Sequence, residues 1–171
     1  MIKGYHCAVC GEYHDELPLA FGAAAPFAYA ALSEEERARR AALSSDQYVI
    51  DDEWFFVRGQ LELPMIGTDE VFTWGVWVSL SEASFERMGE LWEQEGREQE
   101  LPYLGRLNTR LPEHIYPDTL NLKARVHTRP VGLRPFVELE PTEHPLAVEQ
   151  RGGVTWDRVR AIAAAVLHGS S

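Results

Sequence analysis

Cysteine is scarce in this chain, because only Cys7 and Cys10 occur among its 171 residues. A small secreted protein held together by disulfides normally carries more cysteines than this. The N-terminus also lacks the apolar run of a secretory signal. The most apolar stretch, residues 17–32, is shorter than the roughly 20 residues that cross a bilayer, and Gly22 and Pro26 interrupt it. We therefore expect a cytoplasmic protein with no transmembrane segment.

Basic residues are also few: 16 lysines and arginines stand against 27 aspartates and glutamates, which gives a net charge of -11. Such a balance repels nucleic acid and bare anionic membranes, since both need many cations near their phosphates. It suits a basic protein partner better. The composition is otherwise ordinary, with 45% hydrophobic and 25% charged residues, and excludes wholesale disorder.

The length favours one domain over residues 1–171, divided into a small N-terminal knuckle (1–16) and a body (17–171). Alternating apolar residues predict four strand regions in the body: 48–50, 54–63, 71–80 and a hairpin over 121–140. The segment VFTWGVWVSL at 71–80 is apolar on both faces, so we expect it to be central. Trp77 points away from its main apolar face and could line a groove or a partner surface.

Single helices are predicted before, between and after these strands. Ser33 and Glu36 form a capping box for a helix over 34–43, and Ser81 caps a helix to about Gln94. That second helix should bury Phe85, Met88 and Trp92 against the central strand. A last helix begins near Thr155, whereas 17–32 and 95–116 look irregular. The sequence thus predicts an α+β domain with a mainly antiparallel sheet, two or three packed helices and an N-terminal Cys-x-x-Cys knuckle.

The knuckle is the strongest candidate for a metal site. Two thiolates separated by two residues, Cys7 and Cys10, can bind one tetrahedral Zn²⁺, and Gly11 lets the backbone turn back toward it. His14 is close enough to be the third ligand. The fourth must come from elsewhere, and of the two candidates we favour His144 over His127, whose neighbours Arg125 and Arg129 would repel a cation.

The same motif has other interpretations. The cysteines could be a plain reduced pair without metal, or a thioredoxin-like redox pair, although GEYHDELP does not look like the helix that a redox pair opens. Zinc with four protein ligands would be structural, whereas an open position with water would make it catalytic. In that case Asp15 or Glu16 could act as the base.

A basic window covers residues 106–134. Four of its cations, Lys123, Arg125, Arg129 and Arg134, are candidates for binding an anionic ligand, because arginine forks match phosphate and carboxylate groups. A simpler explanation is that Lys123 and Arg125 form cross-strand ion pairs with Glu138 and Glu140 on the neighbouring strand.

Segments over nearly the full length also resemble a bacterial family catalogued only as a domain of unknown function. They are CAVCGEYHDELPLAFG, FFVRG, WGVWVSLS and TLNLKARVHTRPVGLRPFVELEPTEHPLAVEQR. The resemblance implies a single-domain cytoplasmic protein and implies no activity, substrate or partner. The family pattern, Cys-x-x-Cys-Gly then a histidine and a later His-Pro-Leu-Ala, matches Cys7, Cys10, His14 and His144.

No complete catalytic constellation can be assembled from these residues. The leading hypothesis is a cytoplasmic domain that binds a protein or a small anionic ligand and carries a structural zinc knuckle. The alternative is a metal-dependent enzyme that uses the Cys/His cluster, so the sequence leaves open whether the protein is an enzyme.

Overall fold

The computed structural model describes residues 5–6, 13–14 and 17–167. Its strands are β1 (Tyr5–His6), β2 (Tyr13–His14), β3 (Ala20–Gly22), β4 (Ala41–Leu43), β5 (Gln47–Ile50), β6 (Trp54–Pro64), β7 (Val71–Leu80), β8 (Tyr103–Leu107), β9 (Lys123–His127) and β10 (Phe136–Leu139). The α-helices are α1 (Phe27–Ala30), α2 (Glu34–Arg40), α3 (Glu82–Glu90), α4 (Pro145–Gly152) and α5 (Trp156–Leu167), and a 3₁₀ turn covers Arg97–Gln99. No helix among the described residues is both long and apolar enough to span a membrane.

Five strands close into a barrel. The chain runs as an antiparallel meander from β6 through β7, β8 and β9 to β10. β10 then pairs in parallel with β6 through Phe136 and Gln60, which closes the sheet on itself. Outside the barrel, β5 and β4 extend the sheet from β6, and β3 runs parallel to β7. The α+β class is confirmed. The mainly antiparallel sheet also contains parallel pairs, and the part of the chain that the structure describes has five α-helices rather than two or three.

The main core fills the barrel and lies under α3, α4 and α5. Phe72, Trp74, Val76 and Val78 alternate along β7 and are all buried in it, as the sequence predicts. This is the arrangement expected when one face of a strand packs on the core.

Trp77 forms a second core on the opposite face of β7. Its side chain is 0% exposed and packs with Tyr48 and Phe56, while its Nε1 donates to the Ala23 carbonyl oxygen at 2.9 Å. The idea that Trp77 lines a groove is therefore wrong. The segment 17–32 that covers it is not irregular throughout, since it contains β3 and α1.

The predicted capping box is present. Glu36 N–H donates to Ser33 Oγ, and Ser33 N–H donates to Glu36 Oε1. The helix ends at Arg40 rather than at residue 43, because the next residues pair with β5. α3 likewise ends at Glu90, which leaves Trp92 beyond the helix and 38% exposed instead of buried in its stripe.

The sequence patterns also missed β8, which lies within the segment predicted as loop, and α4. β8 contains Gly105, where a Cβ atom would lie 2.5 Å from both the Ser79 carbonyl oxygen and Val78 Cγ1. Glycine is therefore needed here for close approach to β7, and not for a turn. Its presence obscured the strand pattern.

Candidate functional site

The predicted zinc knuckle lies largely outside the described residues, since Cys7 and Cys10 both do. The backbone on either side is described: β1 and β2 pair antiparallel, with Tyr5 opposite His14 and His6 opposite Tyr13. Over the described positions, no group of three or more His, Cys, Asp or Glu side chains is gathered to hold a metal.

His144 serves as the N-cap of α4. Its Nδ1 accepts a hydrogen bond from Leu146 N–H at 3.1 Å, and its Nε2 lies 3.0 Å from the Asp118 carbonyl oxygen. Both ring nitrogens are therefore occupied, and this ring could ligate a metal only by giving up one partner. His127, the less favoured candidate, has Nε2 2.9 Å from Glu138 Oε1.

The four predicted ligand-binding cations do not form one site. Arg129 and Arg134 line a cavity of about 540 Å³, which we call the arginine cleft. Lys123 and Arg125 line a separate cavity of about 450 Å³ on the outer face of the barrel, which we call the strand groove. The two pairs of cations lie apart because Lys123 and Arg125 are on β9, which ends at His127, whereas Arg129 and Arg134 are in the loop that follows.

The arginine cleft is bounded by β6, the region just after α3 and the loop 128–135 between β9 and β10. Its charged lining residues are Arg58, Arg97, Arg129, Arg134, Asp46 and Glu93, and its apolar ones include Met88, Trp92, Val131 and Leu133. Trp92, Val131 and Leu133 are all exposed, so the mouth of the cleft is largely apolar.

Arg97 fixes one wall of the cleft. Its buried guanidinium donates to the carbonyl oxygens of Arg129 (2.7 Å), Pro130 (3.2 Å) and Leu133 (3.0 Å), and to that of Trp92 (2.8 Å). Three of these four acceptors lie in the loop 128–135. One side chain thus holds the loop against the segment that follows α3.

Arg129 and Arg134 are held by carboxylates. Arg129 donates to Glu62 Oε2 at 2.8 Å and to Gln60 Oε1 at 2.9 Å, and Arg134 donates to Asp46 Oδ1 at 2.8 Å. The partners position each guanidinium along the cleft wall and neutralise part of its charge.

Arg58 and Arg97 form no ion pair with any residue that the structure describes. Arg58 donates to the carbonyl oxygens of Ser45 and Ala23 and lies over the Trp77 ring at 5.5 Å. Carbonyl groups satisfy these two guanidiniums without cancelling their charge, so both contribute positive potential to the cleft.

Thr128 adds a hydroxyl to the same wall. Its Oγ1 is buried and has no hydrogen-bond partner among the described residues. A buried hydroxyl normally has a partner, and one without a partner in a cavity wall can donate to or accept from a ligand.

The strand groove lies on the outer face of β8 and β9. Arg106 is directly opposite Lys123, and Leu104 is directly opposite Arg125. All four side chains are exposed, and Glu140 is the acidic residue in the lining.

The predicted cross-strand ion pairs are not formed. Glu138 does lie opposite Arg125 in the β9–β10 register, but its carboxylate pairs with His127 instead. The side chains of Lys123 and Arg125 have no ion pair or hydrogen bond within the part of the chain that the structure describes. The explanation of these charges by mutual pairing is therefore wrong, and they surround an open groove.

Sequence reasoning missed Arg58, Arg97 and Trp92 as cleft residues. Arg58 lies within a strand whose outer face was not assigned. Trp92 was assigned to the buried stripe of a helix that in fact ends at Glu90, and Arg97 lies in the segment predicted as loop, where no periodicity indicates direction. Only the tertiary structure brings them beside Arg129 and Arg134.

Comparison with known families gives one match. A family model described as "Uncharacterized protein conserved in bacteria (DUF2199)" matches residues 6–154, which include both the arginine cleft and the strand groove. No curated protein and no solved structure matches the chain.

Proposed function

The chain belongs to the uncharacterised bacterial family DUF2199, and we propose that it is a binding domain whose arginine cleft takes a small ligand with an anionic group beside an apolar ring. The observation that carries this proposal is the pair Arg58 and Arg97, whose charges no carboxylate cancels among the described residues. They face one cavity in a protein of net charge -11. An anion entering the cleft gains from a local positive potential, although the chain as a whole is negative.

The size and lining of the cleft support a small molecule. Its volume of about 540 Å³ lies within the range of ligand pockets, roughly 300–1,000 Å³. Such pockets combine apolar walls with a few fixed polar groups. Trp92, Val131 and Leu133 supply the apolar part, and the Thr128 hydroxyl is a further polar group.

Phenyl phosphate is a suitable first probe, because it joins a ring to a dianion. We expect it to raise the midpoint of thermal unfolding and to change tryptophan fluorescence, since ligand that binds only the folded state stabilises it. Phenol and inorganic phosphate should each bind at least tenfold more weakly. Equal stabilisation by phenol would contradict an anion site.

Two substitutions test whether phenyl phosphate binds in the arginine cleft. Arg129→Lys keeps a cation beside Glu62 but loses the planar fork, and Trp92→Phe keeps an apolar ring of smaller area. Both should weaken phenyl phosphate binding several-fold with little change in stability. Arg39→Lys, on the exposed surface of α2, is the matched control and should bind as the parent does.

We further infer a structural zinc in the N-terminal knuckle, held by Cys7, Cys10, His14 and, as the fourth ligand, His144. The support is the spacing of the two cysteines and the β1–β2 pairing, which brings the two ends of the intervening segment together. Thiolates and imidazoles are the ligands that Zn²⁺ selects.

Elemental analysis of the reduced protein should find one zinc per chain, and Cys7→Ser should lose it. His144→Asn separates ligation from helix capping, because asparagine is itself a good N-cap but a poor zinc ligand. Loss of zinc in this variant with α4 intact would assign the fourth ligand, whereas a full complement of zinc would exclude His144. Absence of zinc from the parent protein would contradict the site, and zinc with three protein ligands and a water would favour the metal-dependent enzyme.

A further inference from the structure

The strand groove is independent of the arginine cleft and has a different shape. Its cations stand on two levels of the β8–β9 ladder: Arg106 and Lys123 face each other on one level, and Arg125 stands two residues further along β9. Directly opposite side chains in such a pair have Cβ atoms about 5 Å apart, and alternate residues along a strand are about 7 Å apart. The groove therefore offers positive charge at two points about 7 Å apart.

None of the three cations of the strand groove forms an ion pair with a residue that the structure describes. Glu138 is engaged by His127, so Arg125 lacks the partner that its register would give it. Arg106 bonds only weakly, through a 3.4 Å contact to the Asn121 carbonyl oxygen. Three cations against the one carboxylate of Glu140 leave the groove positive while the whole chain is strongly negative.

An apolar side chain lies beside these cations. Leu104 is 72% exposed and stands directly opposite Arg125 on the same outer face. An inorganic anion or a phosphate backbone would leave this leucine in water. A peptide that carries both acidic and apolar side chains would cover it.

We propose that the strand groove binds an extended acidic segment of a partner protein, with two carboxylates at alternate positions and an apolar residue against Leu104. Alternate residues of an extended peptide are themselves about 7 Å apart, so their carboxylates match the two levels of cations. The charge complementarity is local, since the chain as a whole carries a net charge of -11 and opposes acidic segments away from its positive patches.

Nucleic acid is a poorer fit than a peptide. Three cations can neutralise about three phosphates, whereas the electrostatic term in nucleic-acid binding grows with each phosphate neutralised. The net charge of -11 opposes a long polyanion as a whole.

The test uses a fluorescent capped peptide in which serines separate two glutamates and two leucines (Glu-Ser-Glu-Ser-Leu-Ser-Leu), so that the glutamates and leucines share one face of the extended chain. It is titrated with the full chain at low ionic strength. We expect saturable binding that weakens as salt is added. The same peptide with glutamines should bind at least tenfold more weakly. Undiminished binding of the glutamine peptide would overturn the proposal.

The decisive variant is Lys123→Gln with Arg125→Gln, both exposed and unpaired, so that folding should be unaffected. Its matched control is Arg39→Gln with Arg160→Gln, which removes the same two charges at exposed positions away from the groove. We expect the groove variant to lose at least tenfold in affinity and the control to lose less than twofold. Equal losses would show general electrostatics and overturn the proposal.

Two further measurements identify the class of ligand. Leu104→Ser should weaken binding of the leucine peptide several-fold but should not change binding of a peptide in which serines replace the leucines. A single-stranded oligonucleotide that binds more tightly than the peptide and displaces it would overturn the choice of an acidic protein segment. Phenyl phosphate binding to the groove variant should be unchanged, so failure of this proposal and failure of the arginine cleft are distinguishable.

Discussion

Arg97 is a buried cation that has carbonyl oxygens as partners where a carboxylate is more usual. Its four hydrogen bonds tie the loop 128–135 to the segment after α3. Gly132, with φ of 96°, gives this loop a left-handed turn that other residues rarely adopt. The position of Arg129 and Arg134 in the cleft thus depends on a residue that itself makes no ion pair within the described chain.

Replacement of Arg97 tests this dependence. Arg97→Met should lower the free energy of unfolding by about 2–4 kcal/mol, because it removes four hydrogen bonds that a buried, charged side chain donates. Arg97→Lys should recover only part of the loss, since an ammonium group cannot span four carbonyls in one plane. Urea denaturation measures both, with Arg39→Met on the exposed face of α2 as a control that should change stability by less than about 0.5 kcal/mol.

The same variant should also loosen the loop. Amide hydrogen exchange of residues 128–135 in Arg97→Met should be faster than in the parent under conditions where the barrel strands stay protected. Unchanged exchange in this loop would show that its conformation does not require Arg97.

Among the secondary structure elements, those with a strict period were predictable and those set by tertiary contacts were not. The alternation of β7 predicts its bounds and its buried face, because a shift of the strand by one residue would turn its row of core side chains away from the core. The same kind of alternation, on both sides of a turn, predicts the β9–β10 hairpin. By contrast, β8 carries Gly105, whose role is close packing on β7, and α4 begins at a proline capped by His144, which is not a usual N-cap residue.

The residues of the candidate sites were likewise predictable only in part. Arg129 and Arg134 could be identified as an excess of positive charge in the sequence, yet nothing in the sequence places Trp92 or Arg97 beside them. The predicted hairpin is present, and its register puts Arg125 opposite Glu138. This register does not decide the ion pair, since Glu138 pairs with His127 instead. Side-chain pairing on an exposed sheet face depends on competition between neighbours that are close in energy, because such pairs contribute only about 0.2–1 kcal/mol.

On the scale of the whole molecule, one hydrogen-bonded chain joins the barrel to the C-terminal helices. Trp74 Nε1 on β7 donates to the Tyr116 hydroxyl at 3.2 Å, and this hydroxyl donates to Glu149 Oε1 on α4 at 2.6 Å. Glu149 Oε2 in turn accepts from Arg158 Nε on α5 at 2.7 Å. The three elements meet at Tyr116, whose side chain is 1% exposed.

Tyr116→Phe should therefore weaken the attachment of both helices to the barrel. It leaves the indole N–H of Trp74 without an acceptor and one oxygen of Glu149 without a donor, which should lower the free energy of unfolding by about 1–3 kcal/mol at neutral pH. The loss should be measurable by urea denaturation, and the ring of phenylalanine preserves the packing.

The difference between the parent and Tyr116→Phe should also depend on pH. Burial and the adjacent Glu149 carboxylate raise the pKa of Tyr116 above its ordinary value of about 10. Above that pH the unfolded tyrosine releases a proton that the folded tyrosine keeps, so the unfolded state binds fewer protons and stability falls as pH rises. Phenylalanine removes this loss, so the stability gap should be largest below pH 9 and should narrow toward pH 11. Trp74→Phe is the control, because it should lower stability while leaving the tyrosine and its pH dependence in place; a gap between parent and Tyr116→Phe that stays constant with pH would contradict the buried hydroxyl.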